Sequence, residues 1–231
     1  EALSAVLEDA KAQGISHFVC LGDIVGYASG VRSCLRLIRE LECPVVLGNH
    51  DEAACRTAPP TKFSDLATAG IQFAAARLSQ IDRAWILSLP RHLEIEGVAF
   101  THASLARSSA WPYIISDGDA RVHFANQTTP LAFCGHTHKP VLWWMESPGG
   151  PVTQRIGEMV VPLPPNGKVL VNVGAVGQPR DCDPRACYVI YRPAQYSVEF
   201  RRITYDIKKA RRKIIRAKLP KFTAQRLSLG R

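Results

Sequence analysis

The sequence contains no run of roughly 18 uninterrupted apolar residues, so it offers no helix of the usual membrane-spanning kind. It contains no Cys-x-x-Cys pair either. Its seven cysteines, at positions 20, 34, 43, 55, 134, 182 and 187, form an odd and scattered set. That argues against a disulfide framework or a zinc ribbon and for reduced, mostly buried thiols. Internal repeats, low-complexity tracts and linker-like segments are absent. The first residues carry no basic leader and no small-residue cleavage site, and the expectation is a cytoplasmic protein without a membrane association.

Acid is scarce in one place. Between Arg201 and Arg231 twelve lysines and arginines face a single carboxylate, Asp206. The net charge of +9 is therefore a basic tail on a nearly neutral body. What remains is ordinary: 46% hydrophobic and 21% charged residues over a length of 231 suit one domain with a sizeable core and leave no room for long disorder.

The chain opens inside an amphipathic helix, with Leu3, Val6, Leu7 and Ala10 at helical spacing and Gly14 as a stop. No capping residue precedes Glu1, so the expectation is that a further element lies upstream. Two strand-plus-turn units follow. The run from Ser16 to Leu21 ends in Gly22-Asp23, and Val45-Val46-Leu47 ends in Gly48-Asn49-His50-Asp51, with a helix bearing Val31, Cys34, Leu35, Ile38 and Leu41 between them. Ser64 and Ser79 read as caps of helices over 65–78 and 80–88. From His92 the pattern turns to short strands: Leu93–Ile95, Val98–Thr101, Leu131–Cys134, Val141–Trp144, Val169–Val173, Ala186–Tyr191 and Tyr196–Ile203. Asp206 caps a last helix that carries most of the basic tail.

Four of the seven histidines sit in polar clusters at the ends of apolar strand candidates: His50, His102, His136 and His138. Each piece alone has a bland explanation, since a Gly-Asp turn is common and an isolated His-x-His is more often structural. In order, and each at a strand end where open α/β sheets bind ligands, they point to a dinuclear hydrolytic centre. Asp23 is the natural bridging carboxylate. Asn49 offers a neutral oxygen, and His102, His136 and His138 offer imidazole nitrogens, a set that suits manganese, iron, zinc or cobalt. If Gly135-His136-Thr137-His138 is extended, its two imidazoles share a face and can serve adjacent metals.

The segments Gly22-Asp23-Ile24-Val25-Gly26-Tyr27, Gly48-Asn49-His50-Asp51, Thr101-His102 and Gly135-His136-Thr137-His138 resemble the successive motifs of calcineurin-like metallophosphoesterases. Asn172-Val173-Gly174-Ala175-Val176-Gly177-Gln178-Pro179-Arg180-Asp181 is similar to the closing signature of the small bacterial and archaeal phosphodiesterase branch, with Val173 in place of its usual proline. The resemblance implies an α/β fold, a four-layer αββα sandwich of two mixed β-sheets flanked by helices, as a single domain over residues 1–231 that lacks the first strand and its D-x-H loop. It implies hydrolysis of phosphate esters, as a phosphodiesterase or phosphatase, by in-line attack of a metal-bound hydroxide. Two divalent ions are expected, whether manganese, iron, zinc, cobalt or nickel. Asp23, Asn49, His102 and His136 would hold one, and Asp23 with His138 the other, which stays incomplete without the missing loop.

By the same resemblance His50 is the catalytic residue, stabilising charge or protonating the leaving oxygen, and Arg180 and Asn172 are candidate substrate-binding residues. The acid found three residues after the bridging Asp in the phosphoprotein-phosphatase branch is Gly26 here, which argues against a protein phosphatase. Asp51 either stands in for that acid or serves as a helix N-terminal acid. The alternative is a non-catalytic protein-binding module on the same fold with an incomplete metal site. A small phosphate ester is favoured over nucleic acid as the partner, because the basic tail lacks interleaved aromatics beyond Phe222.

Overall fold

A computed structural model describes residues 1–56, 63–155 and 160–231. Helix α1 (Ala2–Ala12) buries Ala2, Val6 and Ala10, four residues apart, on one face. The Ser16–Leu21 and Val45–Leu47 segments run side by side but form only an isolated parallel bridge between Cys20 and Val45. Two backbone hydrogen bonds hold it, Cys20 N–H to the Pro44 carbonyl and Val46 N–H to the Cys20 carbonyl. The two strands expected there are thus reduced to one bridge, since a strand needs a partner along its length and these have only each other over a single pair.

Helices α2 (Val31–Glu40), α3 (Asn49–Cys55), α4 (Asp65–Ala75) and α5 (Gln80–Leu87) follow. Ser64 Oγ accepts from Ala67 N–H at 3.3 Å, and Ser79 exchanges bonds with Asp82 in a capping box. Both serines act as the caps their positions suggest. Helices α2 to α5 enclose a cluster of Val31, Leu35, Ala54, Ile71, Ala74 and Ile86.

Strands β1 (His92–Ile95), β2 (Val98–Thr101), β3 (Leu131–Cys134), β4 (Val141–Met145), β5 (Val152–Arg155), β6 (Val160–Pro162), β7 (Lys168–Asn172), β8 (Ala186–Arg192) and β9 (Ser197–Ile203) build the sheets, with helix α6 (Asp117–Asn126) between β2 and β3. The larger sheet has the order β1-β2-β3-β7-β4-β5 and is mixed, with β2, β3 and β7 parallel at its centre. The smaller has the order β6-β9-β8, and its three strands run antiparallel.

Strand β3 is buried on both faces, and its alternation divides the core. Leu131 and Phe133 pack with Val169, Val171, Val161 and Val198, so the two sheets meet face to face. Ala132 and Cys134 point the other way, onto Ala120 and Phe124 of α6. On the far side of the smaller sheet, Ala2 and Val6 of α1 pack on Ala186 and Tyr188. The result is two sheets flanked by helices. Trp143 and Trp144 face opposite ways as their adjacency requires. Trp143 is buried, and Trp144 is half-buried with its Nε1–H on the Asn166 carbonyl at 2.9 Å. All seven cysteines are free.

The last helical stretch is two helices, α7 (Ile207–Arg216) and α8 (Lys221–Leu227), because Pro220 cannot continue α7. Asp206 caps the first through Lys209 N–H at 2.7 Å.

Helix α1 is tied to the smaller sheet by a charge cluster. Asp9 accepts from Arg201 Nε at 2.7 Å, Arg201 Nη2 at 2.9 Å and Tyr188 Oη–H at 2.6 Å. The Arg201 hydrogen bond holds the Asp9 carboxyl below the usual carboxylate range. A depressed carboxyl contributes stability above its unfolded pKa and loses it as pH falls through the folded value, so this contribution fades only below about pH 4. Asp9→Asn is expected to cost about 1 kcal/mol at pH 7 in denaturant unfolding and clearly less at pH 3. An equal cost at both values would contradict the ionic reading.

Candidate metal centre

The Gly22-Asp23 turn and the start of α3 interlock through glycine. A Cβ on Gly48 would overlap Asp23 N and Oδ1, so only a glycine lets the two loops approach this closely. Asp23 takes a positive φ of 54°, uncommon outside glycine, which turns its carboxylate inward. His50 N–H at the start of α3 then donates to Asp23 Oδ1 at 2.9 Å. One carboxylate oxygen is thereby committed, and Oδ2 is left facing the imidazoles.

Four acceptor atoms meet there. His102 Nε2 lies 3.0 Å from Asn49 Oδ1, 3.1 Å from His136 Nδ1 and 3.4 Å from Asp23 Oδ2. The other nitrogen of each ring is already spent on a carbonyl that can only accept. His102 Nδ1–H donates to Leu21 O at 2.7 Å, and His136 Nε2–H to Trp111 O at 3.1 Å. In the neutral tautomers so fixed, no hydrogen lies between the four facing atoms. Acceptors held in mutual contact without a donor are the chemistry of a cation site, and orienting carbonyls behind ligating histidines are its usual second layer. Spacings of 3.0–3.4 Å suit bonds of about 2.0–2.2 Å to one central ion. Asp23, His102 and His136 are the group of metal-ligating side chains found among the described residues, and all are largely buried.

The electrostatics agree with that geometry. Burial alone would raise the Asp23 pKa, but its histidine neighbours His102, His50 and His136 outweigh it and hold the carboxyl below the usual carboxylate range. Burial pushes His136 down to about 3, and His138 likewise, so both stay neutral and able to ligate across the physiological range.

His138 is turned differently. Its Nδ1–H donates to Gln178 O at 2.7 Å, and its ring meets the edge of Tyr27 at 5.1 Å rather than joining the Asp23 group. The Gly135–His138 segment is not extended. His136 and His138 both have positive φ, 65° and 61°, and Thr137 N–H turns back to Gly135 O at 2.7 Å. The shared-face argument from strand alternation therefore fails, because β3 ends at Cys134 and the imidazoles are aimed by a turn.

His50 stacks on Tyr27 with ring centroids 3.9 Å apart, and its Nδ1–H donates to Gly26 O at 3.3 Å. The backbone carbonyl of Gly26 thus orients this imidazole where an acidic side chain was looked for. A Cβ at Gly26 would fall within 2.8 Å of the His50 ring, and one on Gly70 of α4 would overlap the Gly26 carbonyl itself. The hydrogen bonds of the Asp51 carboxylate go to backbone amides, not to the His50 ring. Fully buried, Asp51 accepts from Val25 N–H at 3.0 Å and Gly48 N–H at 3.3 Å, clamping the two loops together. Burial, then the Asp23 charge, raises its pKa to about 7.

Asn172 is buried, but its amide is used internally. Nδ2–H₂ donates to Gly135 O and Thr137 Oγ1 at 2.5 and 2.9 Å, and Oδ1 accepts from Gly174 N–H at 3.0 Å. It braces the histidine turn and has no polar atom left for a substrate. Arg180 Nη2 approaches Tyr27 Oη at 3.5 Å, and that phenol lies 3.4 Å from Asp23 Oδ2.

Three aromatic residues belong to this site that the sequence reading did not single out. Tyr27 touches Asp23, His50, His138 and Arg180. Trp111, at φ 55°, presents its carbonyl to His136, and Tyr113, half exposed, stacks on His136 at 4.1 Å. Tyr27 closes the Gly-Asp motif and could have been found there. Trp111 and Tyr113 carry no local signal, since only the fold brings them to a histidine more than 20 residues on.

The family model for the calcineurin-like phosphoesterase superfamily domain matches residues 1–194. An uncharacterized protein of Methanocaldococcus jannaschii is 36% identical over 235 residues, spanning 100% of this chain and 93% of its own. The chain belongs to the calcineurin-like phosphoesterase superfamily. Among solved structures, a metallophosphoesterase from Sphaerobacter thermophilus is 33% identical with a TM-score of 0.88, covering 100% of this chain and 94% of that one. A hypothetical protein of Pyrococcus horikoshii OT3 shares the fold at 18% identity, with a TM-score of 0.78 over 100% of this chain and 93% of its own. Phosphoester hydrolysis on divalent metal is the chemistry of this superfamily, and the acceptor cluster lies where the motifs of this calcineurin-like chain converge.

Proposed function

We propose that this protein is a metal-dependent hydrolase of small phosphate esters, a phosphodiesterase or phosphatase working with two divalent cations. One observation carries the reading: Asp23, Asn49, His102 and His136 converge four acceptor atoms whose protons have been placed elsewhere. Those four residues would hold the first cation. Asp23 and His138 would serve the second. The cations supply Lewis acidity and a water of lowered pKa.

The chain's own residues do the rest. Asp23 Oδ1 is fixed by the His50 amide, so the carboxylate cannot rotate away from the imidazoles. His50, with Nδ1–H held on Gly26 O, presents Nε2 to the substrate. When protonated there it stabilises developing charge or delivers the proton to the leaving oxygen. Burial lowers its pKa, which favours giving that proton up. Arg180 adds a guanidinium on the Tyr27 side, matched to phosphate oxygens.

The test is turnover of bis(p-nitrophenyl) phosphate by the purified protein with added Mn²⁺. Hydrolysis that chelator abolishes and Mn²⁺ restores is expected. Inactivity with every metal of the set would favour the non-catalytic binding module on the same fold.

A further inference from the structure

Helix α3 carries a carboxylate that neither the metal cluster nor the loop clamp uses. Glu52 lies one turn beyond Asn49, and its largely buried side chain collects three donors. Oε1 accepts from Arg91 Nη2 at 2.7 Å and from Arg56 Nη2 at 2.5 Å, and Oε2 accepts from Trp111 Nε1–H at 3.0 Å. Arg91 holds the same tryptophan from its face, with the guanidinium carbon 4.6 Å from the ring centroid, and its Nη1 donates to Ser108 O at 3.3 Å. The Glu52–Arg91 pair is thus built around the 107–113 loop. A largely buried ion pair is by itself weak grounds for stability, so what it fixes in place matters more than its own energy.

What it fixes is a strained residue. Trp111 stands at φ 55°, in the left-handed region that bulky side chains rarely occupy, and Arg107 at φ 48° opens the same loop. Such a conformation persists where neighbouring contacts over-determine it. Trp111 also touches both imidazoles of the metal cluster. Its carbonyl accepts from His136 Nε2–H at 3.1 Å, and its ring meets His102 edge-on with centroids 5.6 Å apart. Arg91 reaches the second histidine through its backbone as well, since its carbonyl accepts from the Thr101 hydroxyl at 3.4 Å, one residue before His102.

We propose that Glu52, with Arg91, is a positioning residue for the metal centre: through the indole of Trp111 it fixes the carbonyl that keeps the hydrogen of His136 on Nε2 and leaves Nδ1 free to ligate. The role rests on the metal-dependent reading above. Ring and carbonyl leave the same Cα, so an indole anchored at its N–H and its face holds the carbonyl against relaxation to an ordinary negative φ. Once the anchor is cut, the carbonyl drifts and Nε2–H loses its acceptor. The neutral imidazole is then free to carry its hydrogen on Nδ1, where it blocks the ligand position.

The experiment is a double-mutant cycle on the metal-stripped full chain, with cobalt affinity read by visible absorption. Glu52→Gln leaves a single acceptor oxygen where Arg91 and Trp111 both need one. Trp111→Phe removes the indole N–H but keeps the backbone carbonyl and the Glu52–Arg91 pair, so it is the milder variant and stands alone if Glu52→Gln folds poorly. Each is expected to weaken the tight cobalt phase about tenfold, the lower range for loss of an outer-layer partner. Because both cut the same link, the double variant should lose at most about twofold more, whereas independent effects would multiply to about a hundredfold. Arg56→Ala, which removes the exposed partner of Glu52, should leave cobalt affinity within about twofold of the parent. Parent-like cobalt binding in Trp111→Phe, or losses that multiply in the double variant, overturns the positioning role while the metal centre stands. A parent protein without a tight cobalt phase removes the metal centre itself, and the role with it.

Discussion

Asp23→Asn is expected to lower Mn²⁺-dependent hydrolysis of bis(p-nitrophenyl) phosphate by about 10³-fold or more, with a thermal midpoint near that of the parent protein. The expected loss exceeds the roughly 10–100-fold that removal of one outer-layer partner costs, because in the proposed site Asp23 would be the carboxylate common to both cation positions. The change is nearly isosteric. An Asn carbonyl oxygen can still accept the His50 amide, so the interlocked loops keep their shape. What is lost is the negative charge that His102, His50 and His136 surround. A variant that keeps a tenth of the parent activity would remove Asp23 from the bridging role.

Asp51→Ala is expected to have the largest effect on stability. The carboxylate is fully buried, and its two oxygens satisfy the Val25 and Gly48 amides, one from each loop of the site. Deleting it leaves two donors without partners, at about 1–3 kcal/mol each. For a chain of this length that is a fall of roughly 5–15 °C in thermal midpoint. Asp51→Asn should fall between the two, since its single amide oxygen can satisfy only one of the loops. Burial disfavours the charge of this carboxyl, and its role in the fold is its acceptor geometry toward both loops. A shift below about 2 °C for Asp51→Ala would contradict the clamp.

Much of this was legible in the sequence where the signal is local. Ser64 and Ser79 announced their helices, and the apolar runs at Val98–Thr101 and Leu131–Cys134 became strands with those bounds. The polar clusters at the ends of those runs do converge, and Asp23, Asn49, His102 and His136 come within hydrogen-bonding distance although they span more than a hundred residues.

Where the outcome depends on pairing or on turns, the pattern was mute or misleading. Helix α6 has one large buried apolar residue, Phe124, beside Ala120 and His123, too little to draw a stripe. Its Ser116–Asp119 capping box was the available clue. Strands β5 and β6 are short edges, β5 folded back on β4 and β6 defined by a partner, β9, far away in sequence. The histidine turn was mistaken for extended chain because nothing in Gly-His-Thr-His announces positive φ at two histidines. Asn172, chosen from a signature, turned out to brace that turn.

The account stands on the four converging acceptors, and cobalt titration of the metal-stripped protein addresses them directly. Visible absorption should report one equivalent of Co²⁺ bound tightly in a nitrogen–oxygen environment, with that tight phase abolished by His102→Ala. No tight phase in the parent protein, or a tight phase that survives His102→Ala, would contradict it.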